Sequence, residues 1–246
     1  MGIWFMSIMT QESCSFDTKM RLHVFFDSSG PLEFRAIDTV SMRAGKFRFS
    51  DHTSSLLPSP SEVFLLDGFL SPSISIELFE QVRSEVQWQT REISLFGKKV
   101  LQPRLVAWQG DSGCSYRYSG ITWNPDPWSP AVQRIRGLVS DVTDFDFNGV
   151  LLNLYRDGRD SMGWHSDDET ELGHNPVIAS ISLGASRRFL FRNRLDQKQK
   201  VEVDLKDGSL LIMAGPTQKL WQHSLPKSAK VGEARINLTF RRIVPV

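Results

Sequence analysis

The spacing of apolar residues predicts two helices in the middle of the chain. Ser71-Pro72 and Ser129-Pro130 each place a serine before a proline, the pair that favours a helix start. Apolar residues then recur at helical spacing, first at Leu78, Phe79, Val82 and Val86, and later at Val132, Ile135, Leu138 and Val139. We therefore predict two amphipathic helices that begin near residues 72 and 130.

From about Phe147 onward, apolar residues alternate with polar ones over short segments, which is typical of strands. The predicted strands cover residues 150–155, 178–183, 188–192, 201–205, 209–213 and 235–243. Asp207-Gly208 is a turn signal before one of them. Two helices followed by many short strands predict an α+β fold dominated by antiparallel sheet.

The first 60 residues lack such patterns and end in a Ser- and Pro-rich stretch that resembles a linker. We expect residues 1–61 to form an extension and residues 62–246 to form one catalytic domain. The 246 residues contain 40% hydrophobic and 23% charged residues, which is ordinary for a globular protein. No apolar run reaches 18 residues and no signal peptide is evident, so we expect no membrane contact. Two cysteines, Cys14 and Cys114, fit a reducing compartment.

The net charge of +1 means that any nucleic-acid-binding surface would have to be local. Two basic clusters are candidates, although solvated surface charge is the better explanation of either cluster taken alone. The first contains Lys98, Lys99 and Arg104, and the second contains Arg187, Arg188, Arg192, Arg194, Lys198 and Lys200.

The candidate metal ligands are His165, Asp167 and His223. On an extended segment, residues two apart point the same way, so the His165 and Asp167 side chains would face one site. Two imidazoles and one carboxylate form the facial triad of non-haem Fe(II) enzymes, which leaves positions open for other ligands. A zinc hydrolase could use the same three residue types.

The segment 235–241 points to an anion beside this metal. Alternation places Arg235, Asn237, Thr239 and Arg241 on one face of a strand whose other face is apolar. Unpaired buried guanidinium groups are costly, so two such arginines imply two partner anions, which a dicarboxylate supplies. The alternative is that the arginines pair with protein acids such as Asp167 or Asp204. Asn153 and Tyr155, also two apart, would add polar groups to this pocket.

Four ordered motifs resemble the AlkB family of Fe(II)- and 2-oxoglutarate-dependent dioxygenases, over roughly residues 62–244. They are Asn153-Leu154-Tyr155-Arg156-Asp157-Gly158, the run His165–Glu169, the run Ala179–Gly184 and the strand Arg235–Arg241. The resemblance implies a double-stranded β-helix, or jelly roll, with the N-terminal helices packed against it. It implies that His165, Asp167 and His223 bind Fe(II), and that 2-oxoglutarate is held by Arg235, Arg241, Asn153, Tyr155 and Asn237.

The resemblance further implies oxidative removal of alkyl groups from bases such as 1-methyladenine and 3-methylcytosine in DNA, with consumption of O₂. A base in a duplex must be flipped out to reach a buried metal. Tyr116, Tyr118 and Glu169 match family positions at the base pocket, although packing tyrosines and an exposed loop acid would look the same. The family often has Phe where this chain has Tyr118, and Ser119 is a further candidate because it follows the tyrosines. The segment 95–99 could form a hairpin with Phe96 wedged into the base stack and lysines on phosphate; a buried turn residue is the alternative.

Other functions remain open at this point. RNA could replace DNA as the substrate, a protein or small molecule could be hydroxylated instead, or the chain could be a non-catalytic nucleic-acid-binding module. We expect a monomer that binds single- or double-stranded alkylated DNA and no membrane. A bacterial source would place it in the cytoplasm, and a eukaryotic source in the nucleus.

Overall fold

A computed structural model describes residues 55–95, 98–118 and 121–244 of the chain. Most of the expected extension lies outside these residues, and its boundary at residue 61 stays a prediction. Residues 55–61 lie against the first strand: Leu56 donates its backbone N–H to the Val63 carbonyl at 2.8 Å, and Leu57 is buried.

Both predicted helices form where their start signals lie. Helix α1 spans Pro72–Glu85 and helix α2 spans Pro130–Thr143. Ser71 caps α1 by accepting a hydrogen bond from the Ile74 backbone N–H, whereas Ser129 makes no such bond. The predicted start of α2 is confirmed, with Ser129 at the N-cap position and Pro130 as the first helical residue. No helix in the described ranges combines the length and the apolar character that a membrane crossing requires.

The described chain contains fourteen strands, more than the alternation predicted. The first six are β1 (Glu62–Leu66), β2 (Glu92–Leu95), β3 (Lys98–Leu101), β4 (Leu105–Gly110), β5 (Tyr116–Tyr118) and β6 (Ile121–Trp123). The others are β7 (Gly149–Tyr155), β8 (Met162–His165), β9 (Ile178–Gly184), β10 (Arg187–Asn193), β11 (Lys200–Leu205), β12 (Leu210–Ala214), β13 (Trp221–Leu225) and β14 (Arg235–Arg241). Strand β4 escaped prediction because it is buried on both faces, which removes the polar half of the alternation.

Two antiparallel sheets form the body of the domain. The major sheet has the order β1-β12-β9-β14-β7-β4, and the minor sheet has the order β11-β10-β13-β8. Two further hairpins, β2–β3 and β5–β6, stand apart from these sheets. Facing sheets with this strand order are those of a jelly roll, so the expected fold class is confirmed.

One face of the major sheet packs against the helices, and the other faces the minor sheet. On β14, Ile236, Leu238 and Phe240 pack into an apolar cluster with residues of α1 and α2. The intervening residues of β14 are also buried, but they face the minor sheet and are polar. The predicted alternation is confirmed, and it places a polar pocket between the two sheets.

Candidate metal and co-substrate site

His165, Asp167 and His223 converge at one end of the minor sheet. His165 ends β8 and pairs in register with His223 on β13, so their side chains emerge side by side. One ligand atom from each of the three residues lies within 4.8 Å of the others. Strand β8 stops at His165, so Asp167 reaches the site from the loop that follows and not from the strand. The group has the composition and spacing of a metal site.

Both imidazoles are prepared for metal binding. The Nδ1 of His165 lies 2.9 Å from the Gly163 carbonyl, which can only accept, so Nδ1 carries the proton and Nε2 keeps its lone pair. The Phe189 ring stacks on His223 with centroids 5.3 Å apart. Burial lowers the pKa of His165 and lowers the pKa of His223 to about 3. Both rings are therefore neutral at neutral pH, as ligation requires.

Arg241 controls the carboxylate of Asp167. Its Nη2 lies 2.9 Å from Oδ2 of Asp167, while the other oxygen, Oδ1, lies 3.8 Å from Nε2 of His165. Burial alone would raise the pKa of Asp167, but Arg241 and the two imidazoles outweigh it and lower that pKa below its ordinary value. The alternative pairing of Arg241 with Asp167 is thus confirmed, and it still leaves Oδ1 facing the imidazoles.

Arg235 has no protein acid as partner among the described residues. It is 1% exposed, and its Nη2 donates to Ser182 Oγ at 2.9 Å. Its Nε and Nη1 are buried without an acceptor, and the guanidinium lies over the Tyr155 ring at 5.4 Å. Burial lowers its pKa to about 10, so the group stays charged at neutral pH. A buried guanidinium with two nitrogen atoms that still lack an acceptor is suited to bind the carboxylate of a ligand.

The two asparagines of the pocket differ in which of their hydrogen-bonding groups remain available for a ligand. Asn153 accepts a 2.6 Å hydrogen bond from Nε of Arg104 at Oδ1, which leaves its amide NH₂ as the group available for a ligand. Asn237 uses both ends of its amide within the protein, toward Ser180 and Thr239. Asn153 is therefore the better donor to a ligand, and Asn237 serves mainly to order its neighbours.

All these groups line one pocket between the sheets. Besides the triad and Phe189, its walls are formed by Leu151, Asn153, Tyr155, Met162, Ser180, Met213, Leu225, Arg235, Asn237, Thr239 and Arg241. The charged side chains that line it are unbalanced, because Arg235 and Arg241 face a single carboxylate, that of Asp167. The excess of positive charge fits a bound anion.

The structure corrects both candidate basic clusters. Arg104 is buried against Asn153, and Arg187 is buried with its guanidinium on three backbone carbonyls, so neither is surface charge. Arg188 and Arg194 are paired with acids, at 3.6 and 2.8 Å. Arg192 lies over the Trp164 ring. No sequence signal separated the buried arginines from the exposed ones.

The expected base-pocket residues are only partly described. Tyr116 and Tyr118 begin and end β5, so the predicted extended segment is confirmed by the backbone. Ser119 and Phe96 lie outside the described residues, although strands β2 and β3 do pair as a hairpin. Glu169 is half-buried and immediately precedes a short 3-10 helix, Thr170–Leu172. The contacts of these residues with a base stay predictions.

Comparison with known proteins places the chain in a family. The model of the 2OG-Fe(II) oxygenase superfamily matches residues 62–241. The chain is 45% identical over 179 residues to human DNA oxidative demethylase ALKBH2, covering 68% of each protein. It is 44% identical to the bovine protein of that name, of which it spans 64%. It is 41% identical to bovine alpha-ketoglutarate-dependent dioxygenase alkB homolog 3, with 75% of this chain and 67% of the relative covered.

A solved structure supports the fold alone. The one described as "The structure of OsALKBH1" superposes with a TM-score of 0.54 at 21% identity, covering 73% of this chain and 97% of the other. The matched family model spans the triad and the arginine strand that the geometry brings together. The chain belongs to the 2OG-Fe(II) oxygenase superfamily, whose members use Fe(II), 2-oxoglutarate and O₂, and within it to the AlkB family.

Proposed function

We propose that this protein oxidatively demethylates N-alkylated bases in DNA, of the 1-methyladenine and 3-methylcytosine type, as a direct-reversal repair enzyme. One observation carries the proposal. A single pocket contains two histidines and one carboxylate at metal-ligand spacing, together with a buried arginine whose Nε and Nη1 have no acceptor among the described residues. A zinc hydrolase needs the first feature but has no use for the second. The relatives called DNA oxidative demethylases supply the substrate class.

The proposed metal ligands are Nε2 of His165, Oδ1 of Asp167 and the imidazole of His223. The hydrogen bond from Nδ1 of His165 to Gly163 supports this assignment, because it leaves Nε2 as the lone-pair atom. The Arg241 contact to Oδ2 of Asp167 supports it as well, because it leaves one carboxylate oxygen for the metal. Three protein ligands leave positions for 2-oxoglutarate and O₂.

The proposed 2-oxoglutarate anchors lie on β14 and β7. Arg235 would hold the carboxylate remote from the metal with Nε and Nη1, which have no acceptor in the described part of the chain. Arg241, which is fixed beside Asp167, would serve the carboxylate near the metal. Asn153 offers its amide NH₂, and Tyr155 and Asn237 complete the walls.

Bound Fe(II), 2-oxoglutarate and O₂ together supply a two-electron oxidation that hydroxylates the N-alkyl carbon, with succinate and CO₂ as co-products. The hydroxymethyl group then leaves as formaldehyde, and the base nitrogen regains a proton or its lone pair. The protein's part is to position the reactants and to keep water out. Leu151, Met162 and Phe189 supply apolar wall for this purpose.

The proposed base contacts are Tyr116, Tyr118, Ser119 and Glu169. Strand β5 supports the tyrosine pair, because residues two apart share one face of a strand. The β2–β3 hairpin supports the proposed wedge at Phe96, with Lys98 and Lys99 toward phosphate. We also propose that the enzyme acts as a monomer, in the cytoplasm of a bacterium or in the nucleus of a eukaryote.

The test follows one methyl group by mass spectrometry. Protein loaded anaerobically with Fe(II) receives 2-oxoglutarate, O₂ and an oligonucleotide that carries 1-methyladenine or 3-methylcytosine, with His165→Ala as the control. We expect the oligonucleotide to lose about 14 Da, the mass difference between a methyl group and a hydrogen atom. This loss should occur only when all components and His165 are present. Succinate without methyl loss would refute the base substrate but keep the dioxygenase.

RNA is the second candidate substrate, since a relative of nearly the same identity has a name that states a dioxygenase activity without naming DNA. Running the same lesion in DNA and RNA strands of identical sequence separates the two, because only contacts with the 2′-hydroxyl distinguish them. A protein or small-molecule hydroxylase would instead consume 2-oxoglutarate without either strand.

A further inference from the structure

Gln218 lies directly behind the carboxylate ligand without belonging to the triad. It sits in the short helix α3 (Thr217–Leu220) and is 2% exposed. Its Oε1 accepts a hydrogen bond from the Asp167 backbone N–H at 3.0 Å, and its Nε2 lies 3.6 Å from the sulfur of Met213. Both ends of the buried amide are therefore committed, one of them to the residue that faces the two histidines.

This contact matters because Asp167 has left the sheet. Strand β8 ends at His165, so the backbone N–H of Asp167 has no ladder partner and would be a buried donor without Gln218. The neighbouring residues are tied to the same segment. Ser166 Oγ donates to the Trp221 carbonyl at 3.0 Å.

Asp168 completes the set of ties through Arg194. The Nη1 of Arg194 lies 2.8 Å from Asp168 Oδ2 and 3.3 Å from the Gln218 carbonyl. Three consecutive residues after β8 are thus held by the segment 218–221, which leads directly into His223 on β13. One ligand's loop is fixed to the strand that carries another ligand.

We propose that Gln218 is a positioning residue for the metal site. By fixing the Asp167 backbone, it lets the carboxylate divide its oxygens, with Oδ2 on Arg241 and Oδ1 toward His165. Groups that orient metal ligands typically change metal affinity about 10- to 100-fold when they are removed. The inference rests on the proposed metal role of the triad.

The test compares two glutamines that differ in where their side chains point. Gln218→Met keeps the length of the side chain and removes the acceptor, whereas Gln222→Met changes a glutamine that contacts Arg192 on the opposite face of β13. Co(II) replaces Fe(II), and its dissociation constant and visible spectrum are measured beside the melting temperature of the metal-free protein. We expect Gln218→Met to weaken Co(II) binding about 10- to 100-fold and to alter the spectrum, with Gln222→Met unchanged.

A purely structural role would lower the metal-free melting temperature and leave the Co(II) dissociation constant and spectrum as in wild type. That result overturns the inference, as do equal losses in the two methionine variants. If Gln218→Met does not fold, Gln218→Glu is measured instead, because its side chain retains an acceptor for the Asp167 backbone N–H. We expect its Co(II) affinity to lie within about threefold of wild type, and a loss of about tenfold or more refutes the role of the acceptor. Wild-type protein that binds no Co(II) at the triad would refute the proposed function itself.

Discussion

Arg235 offers the most discriminating perturbation, because its replacement should move ligand affinity and protein stability in opposite directions. The guanidinium is 1% exposed, makes one hydrogen bond to Ser182 and leaves Nε and Nη1 without acceptors. Arg235→Met keeps much of the apolar stem against Tyr155 while removing the charge. In the metal-loaded protein, this variant should bind 2-oxoglutarate far more weakly.

The magnitude follows from what the ligand loses. Removing one partner of a buried, hydrogen-bonded charge pair costs about 2–5 kcal/mol of binding free energy. At about 1.4 kcal/mol for each factor of ten, the dissociation constant for 2-oxoglutarate should rise roughly 30-fold to several thousand-fold. Without ligand, the same change removes a buried charge that no described acid offsets, so the free energy of unfolding should stay equal or increase.

Calorimetric titration of 2-oxoglutarate into Mn(II)-loaded protein measures the first quantity, and urea unfolding of the metal-free protein measures the second. Arg187→Met is the matched control. Like Arg235, Arg187 is buried and has no carboxylate at hydrogen-bond distance among the described residues. Unlike Arg235, it donates to the backbone carbonyls of Asp157, Asp160 and Pro226. If Arg235→Met binds 2-oxoglutarate with a dissociation constant within about threefold of wild type, this arginine is not an anchor for the ligand.

Three further outcomes follow from the same geometry. Arg187→Met should destabilise the metal-free protein by at least about 2 kcal/mol in urea unfolding, since each buried group left unsatisfied costs about 1–3 kcal/mol; unchanged stability would contradict it. Arg104→Met should raise the 2-oxoglutarate dissociation constant about fivefold by releasing the Asn153 amide, a loss of about 1 kcal/mol; calorimetry checks this against an unchanged Mn(II) affinity. Co(II) at 100 times its dissociation constant should stabilise wild type by about 2.7 kcal/mol and His223→Ala by far less, and a chelator should reverse the gain.

The proposed metal site and most of the proposed base contacts lie on different parts of the described chain. The triad and the arginines belong to strands of the two sheets or to loops fixed on them, and most of their side chains are buried. Most of the proposed base contacts belong instead to the hairpins β5–β6 and β2–β3, each of which is a separate two-stranded sheet. Glu169 is the exception, because it lies in the loop that also carries Asp167. Changes in the hairpins should therefore alter the choice of base or strand while leaving 2-oxoglutarate binding intact.

Much of the fold was readable from local pattern. Serine–proline pairs marked the starts of α1 and α2, and two-residue alternation located β7, β9, β10, β11, β12 and β14 within a residue or two. These signals are local because helix starts and half-polar strands depend on neighbouring residues. Strands β4 and β13 gave no such signal, since β4 begins with four apolar residues in a row and β13 has three polar residues in a row.

The order of polar and apolar residues was enough to name the residues that could form the site. On β14, the alternation of polar and apolar residues assigns side chains to the two faces of the strand from local spacing alone. The same argument does not hold for His165 and Asp167, because β8 ends at His165 and Asp167 reaches the site from the loop. The packing of the sheets set how these groups share their partners. It pairs Asp167 with Arg241, leaves Arg235 without an acid among the described residues, and buries Arg104 against Asn153. Such pairings join strands far apart in the chain, so they depend on sheet register and packing, which no local pattern encodes.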